Sequence, residues 1–291
     1  MPRQNLSLRH FLLALSVVAV WGTNFVVIQV ALATLPPLLF AALRFALVFF
    51  PFCLFLPRPA VPWRDLILYG LLIGVGQFGL LFVAMHGHIT PGLASLVIQT
   101  QVFFTIFLSM RISGERVRPL QWVALMVAVC GIGVIMAHTD GSTTPLGLAL
   151  ILLAAASWAA GNMVARGSSQ AASVNAVAYV VWSGVFAAIP LLVLSALFEG
   201  TAAIVHGLRS AGAGTWLAVA WQSVGNSLFG YAMWAWLLAR YPAATVSPMA
   251  LLVPVFGMAA SSLLLAEPMP LWKLAAMALV MAGLGLNMLK R

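Results

Sequence analysis

The sequence predicts an all-α integral membrane protein of ten transmembrane helices, arranged as two inverted five-helix repeats. Three observations predict it. The chain is 63% hydrophobic and 7% charged, with a mean hydropathy of +1.08, whereas a soluble domain carries about 25% charged residues. Ten stretches reach the length a helix needs to cross a bilayer core, about 20 apolar residues. Short segments of the first half then return, in order, in the second. Ala-Val-Trp-Gly-Thr-Asn at 19–24 returns as Ala-Ser-Trp-Ala-Ala-Gly-Asn at 156–162. Gln77-Phe78-Gly79-Leu80 returns as Leu228-Phe229-Gly230-Tyr231. Ser95, Glu115, Gly131 and Gly133 return as Ser247, Glu267, Gly283 and Gly285.

The expected spans are 10–31, 37–56, 66–86, 91–110, 119–137, 146–165, 175–197, 214–238, 243–264 and 271–289. Membrane β-strands would be about 9–11 residues long with alternating polarity, so the lengths exclude a barrel. The two repeats are expected over 1–138 and 145–291. Five spans in each half insert the second copy upside down. Inverted repeats are an architecture of secondary carriers, whose substrate sits near the midplane between the halves.

The formal net charge of +9 reports orientation rather than affinity for nucleic acid. With both termini cytoplasmic, the inner side holds Arg3, Arg9, Arg58, Arg64, Arg111, Arg116, Arg118, Arg166, Arg240, Lys290 and Arg291. The outer side holds Arg209 and Lys273. That bias follows the positive-inside rule. Ala31-Leu32-Ala33 resembles a signal-peptidase site, but the apolar run before it exceeds the about 7–15 residues of a cleaved signal. The first span is therefore expected to be retained. Cys53 and Cys130 lie inside apolar spans without metal-ligand spacing, so no metal or other cofactor is expected.

An ionisable group in lipid is expensive and points to function by default. Arg44 is the clear case, about nine residues into the second span. Its guanidinium either binds a substrate carboxylate through its paired N–H groups or has a structural role, capping carbonyls of a neighbouring helix or snorkelling outward. Asp65, Glu115, Asp140, Glu199 and Glu267 all fall in loops or at helix ends, which leaves no carboxylate relay for protons or sodium inside the spans. Amides are more plentiful: Asn24, Gln29, Gln77, Gln99, Gln101, Asn162, Gln222 and Asn226. Each needs a hydrogen-bond partner in hydrocarbon. Any single one reads as helix-to-helix glue; together they read as a polar lining with little charge, suited to a zwitterion or neutral metabolite. Trp158 and Trp182 sit deep enough to wall such a cavity, while Trp63, Trp216 and Trp272 fit the interfacial belt. Pro51, Pro190, Pro248 and Pro254 mark expected bends, and Gly70 and Gly74 have the spacing of a close helix crossing.

Val-Trp-Gly-Thr-Asn-Phe at 20–25, Leu-Arg-Phe at 43–45, Gly-Leu-Ala-Ser at 92–95 and Gly-Glu-Arg at 114–116 resemble the EamA family of the drug/metabolite transporter superfamily. Pro36-Pro37, Gln99 with Gln101, and Leu-Leu-Val-Pro-Val at 251–255 strengthen the likeness, which runs over the whole chain. The resemblance implies export of amino acids or their derivatives across a bacterial inner membrane, of the cysteine and O-acetylserine kind, with export of aromatic amino acids or of other small metabolites or drugs as the alternative. Since Leu-Arg-Phe recurs in relatives with different substrates, it also moves Arg44 toward a structural role. The partners expected are a small-molecule substrate, amino acids, and the lipid bilayer, with no nucleic acid, and one chain suffices for a pathway. No nucleophile-and-base pair, paired acids or metal motif supports an intramembrane enzyme, and two inverted halves suit a carrier better than a channel. The expected substrate-binding residues are Asn24, Gln77, Gln101, Trp158, Asn162 and Arg44.

Overall fold

The fold is known from a computed structural model that describes residues 7–113, 119–171, 174–241 and 243–288. Helices make up nearly all of it, and there is no strand among the described residues. Seven long apolar helices come first: α1 (Leu8–Leu32), α2 (Pro37–Leu54), α3 (Trp63–Met85), α4 (Pro91–Ile112), α5 (Pro119–Ala137), α6 (Pro145–Ser168) and α7 (Ala176–Phe198). A short helix α8 (Thr201–Ser210) follows, and then α9, helical throughout 213–240. Two more apolar helices, α10 (Pro248–Leu265) and α11 (Leu271–Met288), complete the chain.

Nine of these helices are long and apolar enough to cross a membrane among the described residues, against the ten spans expected. The tenth expected span is α9. It has the length, but Gln222, Ser223, Asn226 and Ser227 dilute its apolar character. All four of those side chains are buried in the protein interior, where lipid does not meet them.

Local chemistry sets the helix ends. Proline begins α2, α4, α5 and α6, where its missing N–H leaves nothing unsatisfied. Ser7 accepts the His10 N–H at the start of α1. Asn175 accepts the Val177 and Ala178 N–H groups at the start of α7. Two carboxylates cap helices from a distance. Glu199 accepts from the Leu38 and Leu39 N–H groups at 2.6 and 3.1 Å, holding the start of α2. Glu267 accepts from the Gly92 N–H at 3.0 Å, holding the start of α4. Negative charge at a helix N-terminus is favoured by the helix dipole.

The helices pack in a reciprocal pattern. α2 lies on α7, and α5 on α11. α1 packs on α10 as α4 packs on α6; α3 packs on α6 and α7 as α9 packs on α1 and α2. Glycines permit the closest approaches. A Cβ at Gly74 would collide with Ala187, and one at Gly70 with the Ser183 carbonyl, so this pair does bring α3 against α7. Gly131 of α5 faces Ala276 and Val280 of α11, while Gly283 of α11 faces Ala124 and Ala128 of α5. Pro190 lies within α7. Pro51 does not bend a helix, because regular α-helix ends at Phe49 before it.

Candidate functional site

The middles of α1, α3, α4, α6 and α9 converge, with the start of α10, on a cavity of about 300 Å³. Irregular backbone builds much of its wall. α3 carries a π-helical segment, Gly70–Gly79, that presents Gln77 and Phe78. α9 carries another, Trp221–Phe229, that presents Asn226. Tight 3-10 turns at Ile98–Thr100 and Ser247–Leu251 bring in Gln99 and Ala250. Such segments within longer helices often mark functional hinges.

Among the described residues no charged side chain lines this cavity; amides, aromatic rings and a few aliphatic side chains do. Asn162 Nδ2 donates to Gln101 Oε1 at 3.4 Å, and the Thr105 hydroxyl donates to the same oxygen at 3.3 Å. Gln99 Nε2 donates to the Ala250 carbonyl at 3.4 Å. Asn24 Oδ1 and Gln77 Oε1 are buried and accept no hydrogen bond from the protein. Buried polar atoms of that kind are uncommon and call for an explanation. Trp21 Nε1 donates to the Asn226 carbonyl at 3.2 Å, and its ring lies 5.2 Å from that of Trp234 and 5.9 Å from that of Tyr231.

Of the six residues expected from sequence, Asn24, Gln77, Gln101, Trp158 and Asn162 line this one cavity. Arg44 does not. It is fully buried one layer behind the wall, with its guanidinium carbon 3.8 Å from the Phe78 ring centroid and 4.9 Å from that of Phe45. Its Nη2 donates to the Ser227 hydroxyl at 2.6 Å and makes a long contact, 3.5 Å, to the Gln222 carbonyl. The guanidinium thus joins α2 to α9 chiefly through a side-chain hydroxyl. Trp182 lies away from the cavity: its Nε1 donates to the Leu56 carbonyl at 2.9 Å, and its ring packs on Phe49 and Trp63.

Sequence reading left Trp21, Asn226, Tyr231 and Trp234 out of the candidate set, although all four line the cavity. A signal existed for Trp21, which stands three residues before Asn24 and so on the same helix face. Gly114, Glu115, Arg116 and Arg118, together with Arg3, Lys290 and Arg291, lie outside the described residues.

The one buried ion pair seen among the described residues joins the loop before α11 to the first turn of that helix, which sequence read as an outer loop and its margin. Lys273 Nζ meets Glu267 Oε1 at 2.9 Å with both side chains buried. Burial pushes the Glu267 carboxyl up, but hydrogen bonds from Ser261, Lys273 and the Gly92 N–H hold it below the usual carboxylate value. Asp140, in the loop before α6, is also held below that value, by the Ser142 hydroxyl and by the Ser142 and Thr143 N–H groups.

Comparison with known proteins agrees with this architecture. The chain is 40% identical to a "Probable amino-acid metabolite efflux pump" of Escherichia coli K12, over 97% of this chain and 95% of that protein. It is 42% identical to the protein of the same name from Salmonella typhimurium, over 94% of this chain and 93% of the other. A solved crystal structure, among others, matches with a TM-score of 0.64, at 19% identity over 96% of each chain, and so shares the fold. The sequence profile of the EamA-like transporter family matches residues 8–137 and again 145–289, so this multi-pass membrane protein belongs to that family.

Proposed function

We propose that the chain is a secondary exporter of amino acids or their derivatives, working by alternating access in the inner membrane with both termini cytoplasmic. On this reading it has ten spans, α9 included, in two inverted repeats over 1–138 and 145–291. The reciprocal helix packing supports the repeats, as do the paired irregularities: π-helix in α3 and α9, and 3-10 turns at Ile98–Thr100 and Ser247–Leu251. The names of the two bacterial relatives support the substrate class. No enzymatic role is assigned.

One observation carries the reading: a cavity of about 300 Å³, lined by amides without charge, in which two amide oxygens have no protein partner. That volume is at the small end of ligand pockets. Asn24 Oδ1 and Gln77 Oε1 accept from the substrate ammonium. The amide groups of Gln101 and Asn162 donate to its carboxylate. Trp158 closes one side. Arg44 is a positioning residue: it holds Phe78 in the wall and ties the π-helical segment of α9 to α2. Transport is facilitated exchange down the substrate gradient, since the wall offers no carboxylate to carry a proton.

Counterflow in liposomes tests this. Protein loaded with unlabelled amino acids, without a pH gradient, should accumulate labelled cysteine, serine or threonine saturably. The absence of accumulation for every amino acid, with folded protein, would sink the proposal. A second reading, export of aromatic amino acids, is favoured by the rings of Trp21, Trp158, Tyr231 and Trp234 in the wall. Phenylalanine ranking first would select it.

A further inference from the structure

The indole of Trp21 rests with its N–H edge on Gly230, the residue that follows the π-helical segment of α9. A Cβ at Gly230 would overlap Nε1 and stand 3.1 Å from Cε2 and 3.3 Å from Cδ1. The bare glycine therefore lets the ring lie close on the α9 backbone, where Nε1 donates to the Asn226 carbonyl at 3.2 Å. The rings of Tyr231 and Trp234, also on α9, pack beside it. All three rings line the large cavity, and Trp21 is only partly buried. Gly230 itself is buried and does not line the cavity.

Trp21 stands one turn from Asn24 on the same face of α1. With the substrate ammonium on Asn24 and its carboxylate on Gln101 and Asn162, the group left over is the substrate's side chain. The wall left for that group is the aromatic one of Trp21, Tyr231 and Trp234, and aromatic walls suit large apolar side chains. The room in front of it depends on where the Trp21 indole stands.

We propose that Gly230 is a specificity-determining positioning residue: by carrying no side chain it seats Trp21 against α9 and so sets the room for the substrate's side chain. A methyl group there pushes the N–H edge of the indole away from α9 and breaks its bond to Asn226. The open side of the ring is the cavity, so the cavity receives the displaced edge. The assignment rests on the large cavity taking amino acids, and the class it admits then extends to bulky apolar side chains.

Counterflow of labelled phenylalanine and labelled serine, compared in the unaltered protein, Gly230→Ala, Trp21→Leu and the double variant, tests this. Gly230→Ala should lower the phenylalanine-to-serine ratio about tenfold, the effect of roughly one methylene of lost room in an apolar pocket. In Trp21→Leu, added Gly230→Ala should lower the ratio no further, because the ring it displaces is gone. An unchanged ratio in Gly230→Ala, an equal fall in both backgrounds, or exchange of serine without phenylalanine in the unaltered protein would each overturn the proposal. Should Gly230→Ala alone fail to fold, the double variant should fold; failure of both would overturn it by placing the clash elsewhere. A second readout needs only folded protein. The Trp21 indole N–H resonance, in protein grown with isotope-labelled tryptophan and identified by its loss in Trp21→Leu, should be protected from solvent exchange. In Gly230→Ala it should shift and lose that protection, and an unmoved resonance would overturn the proposal. Absence of exchange for every amino acid sinks the amino-acid reading instead, and the resonance still decides whether Gly230 seats the ring.

Discussion

The two π-helical segments, Gly70–Gly79 in α3 and Trp221–Phe229 in α9, share a backbone and differ in nearly everything else. The first is rich in glycine, and its helix approaches α7 until Gly74 meets Ala187. The second, Trp-Gln-Ser-Val-Gly-Asn-Ser-Leu-Phe, keeps the same register through polar side chains. The Ser223 hydroxyl donates to the Arg44 carbonyl at 2.9 Å, and Ser227 accepts from the Arg44 guanidinium. One segment is held by close packing, the other by hydrogen bonds. A widened helical turn can thus be stabilised in either way.

Alanine at equivalent glycines should expose that difference most sharply. Gly74→Ala drives a methyl group into Ala187 and its backbone and should cost about 3 kcal/mol by overpacking. Gly225→Ala meets only the Trp221 ring, 3.3 Å away, and should change stability by less than about 1 kcal/mol, offset by alanine's better helix propensity. Thermal unfolding of the two variants in detergent compares them; equal losses would break the contrast. Ser227→Ala comes next. It removes the hydrogen bond to Arg44 and should cost about 2 kcal/mol, typical for a bond to a charged group; a stability equal to that of the unaltered protein would remove Ser227 from the clamp.

Function should separate the segments as well. Gln77→Leu removes a wall acceptor and should lower transport about tenfold, near 1.4 kcal/mol, with expression and unfolding temperature unchanged. Flux equal to that of the unaltered protein would take Gln77 out of the substrate contacts. The smallest effect lies far from either segment. Glu267 has its folded value held below the ordinary one, so its contribution to stability is full above the ordinary carboxylate value. It is lost as pH falls through the lowered folded value. An acid-induced drop in unfolding temperature should therefore shrink in Glu267→Gln, and an identical acid profile would show that the clamp contributes nothing.

Much of this was legible in the chain. Apolar length alone placed the helices to within a few residues at most ends, because the bilayer fixes how long a span must be. Uncharged amides at midspan pointed to the cavity, since lipid offers such groups no partner. Aromatic residues were read less well. Trp158 and Trp182 look alike in sequence, yet one lines the cavity and the other bonds to Leu56; rotation about the helix axis decides, and composition does not encode it. The Glu267–Lys273 pair was hidden for another reason. Glu267 read as a loop residue and Lys273 as the margin of the last span, and only the tertiary approach of the start of α4 to that loop brings them together with Gly92.

None of the described residues that line the large cavity carries a formal charge. A zwitterion crossing with it moves no net charge through the membrane field. A voltage of 100 mV, which biases a monovalent cation by about 2.3 kcal/mol, would do no work on such a cycle. Energised and de-energised membranes would then release the substrate at the same rate, with direction set by concentration alone.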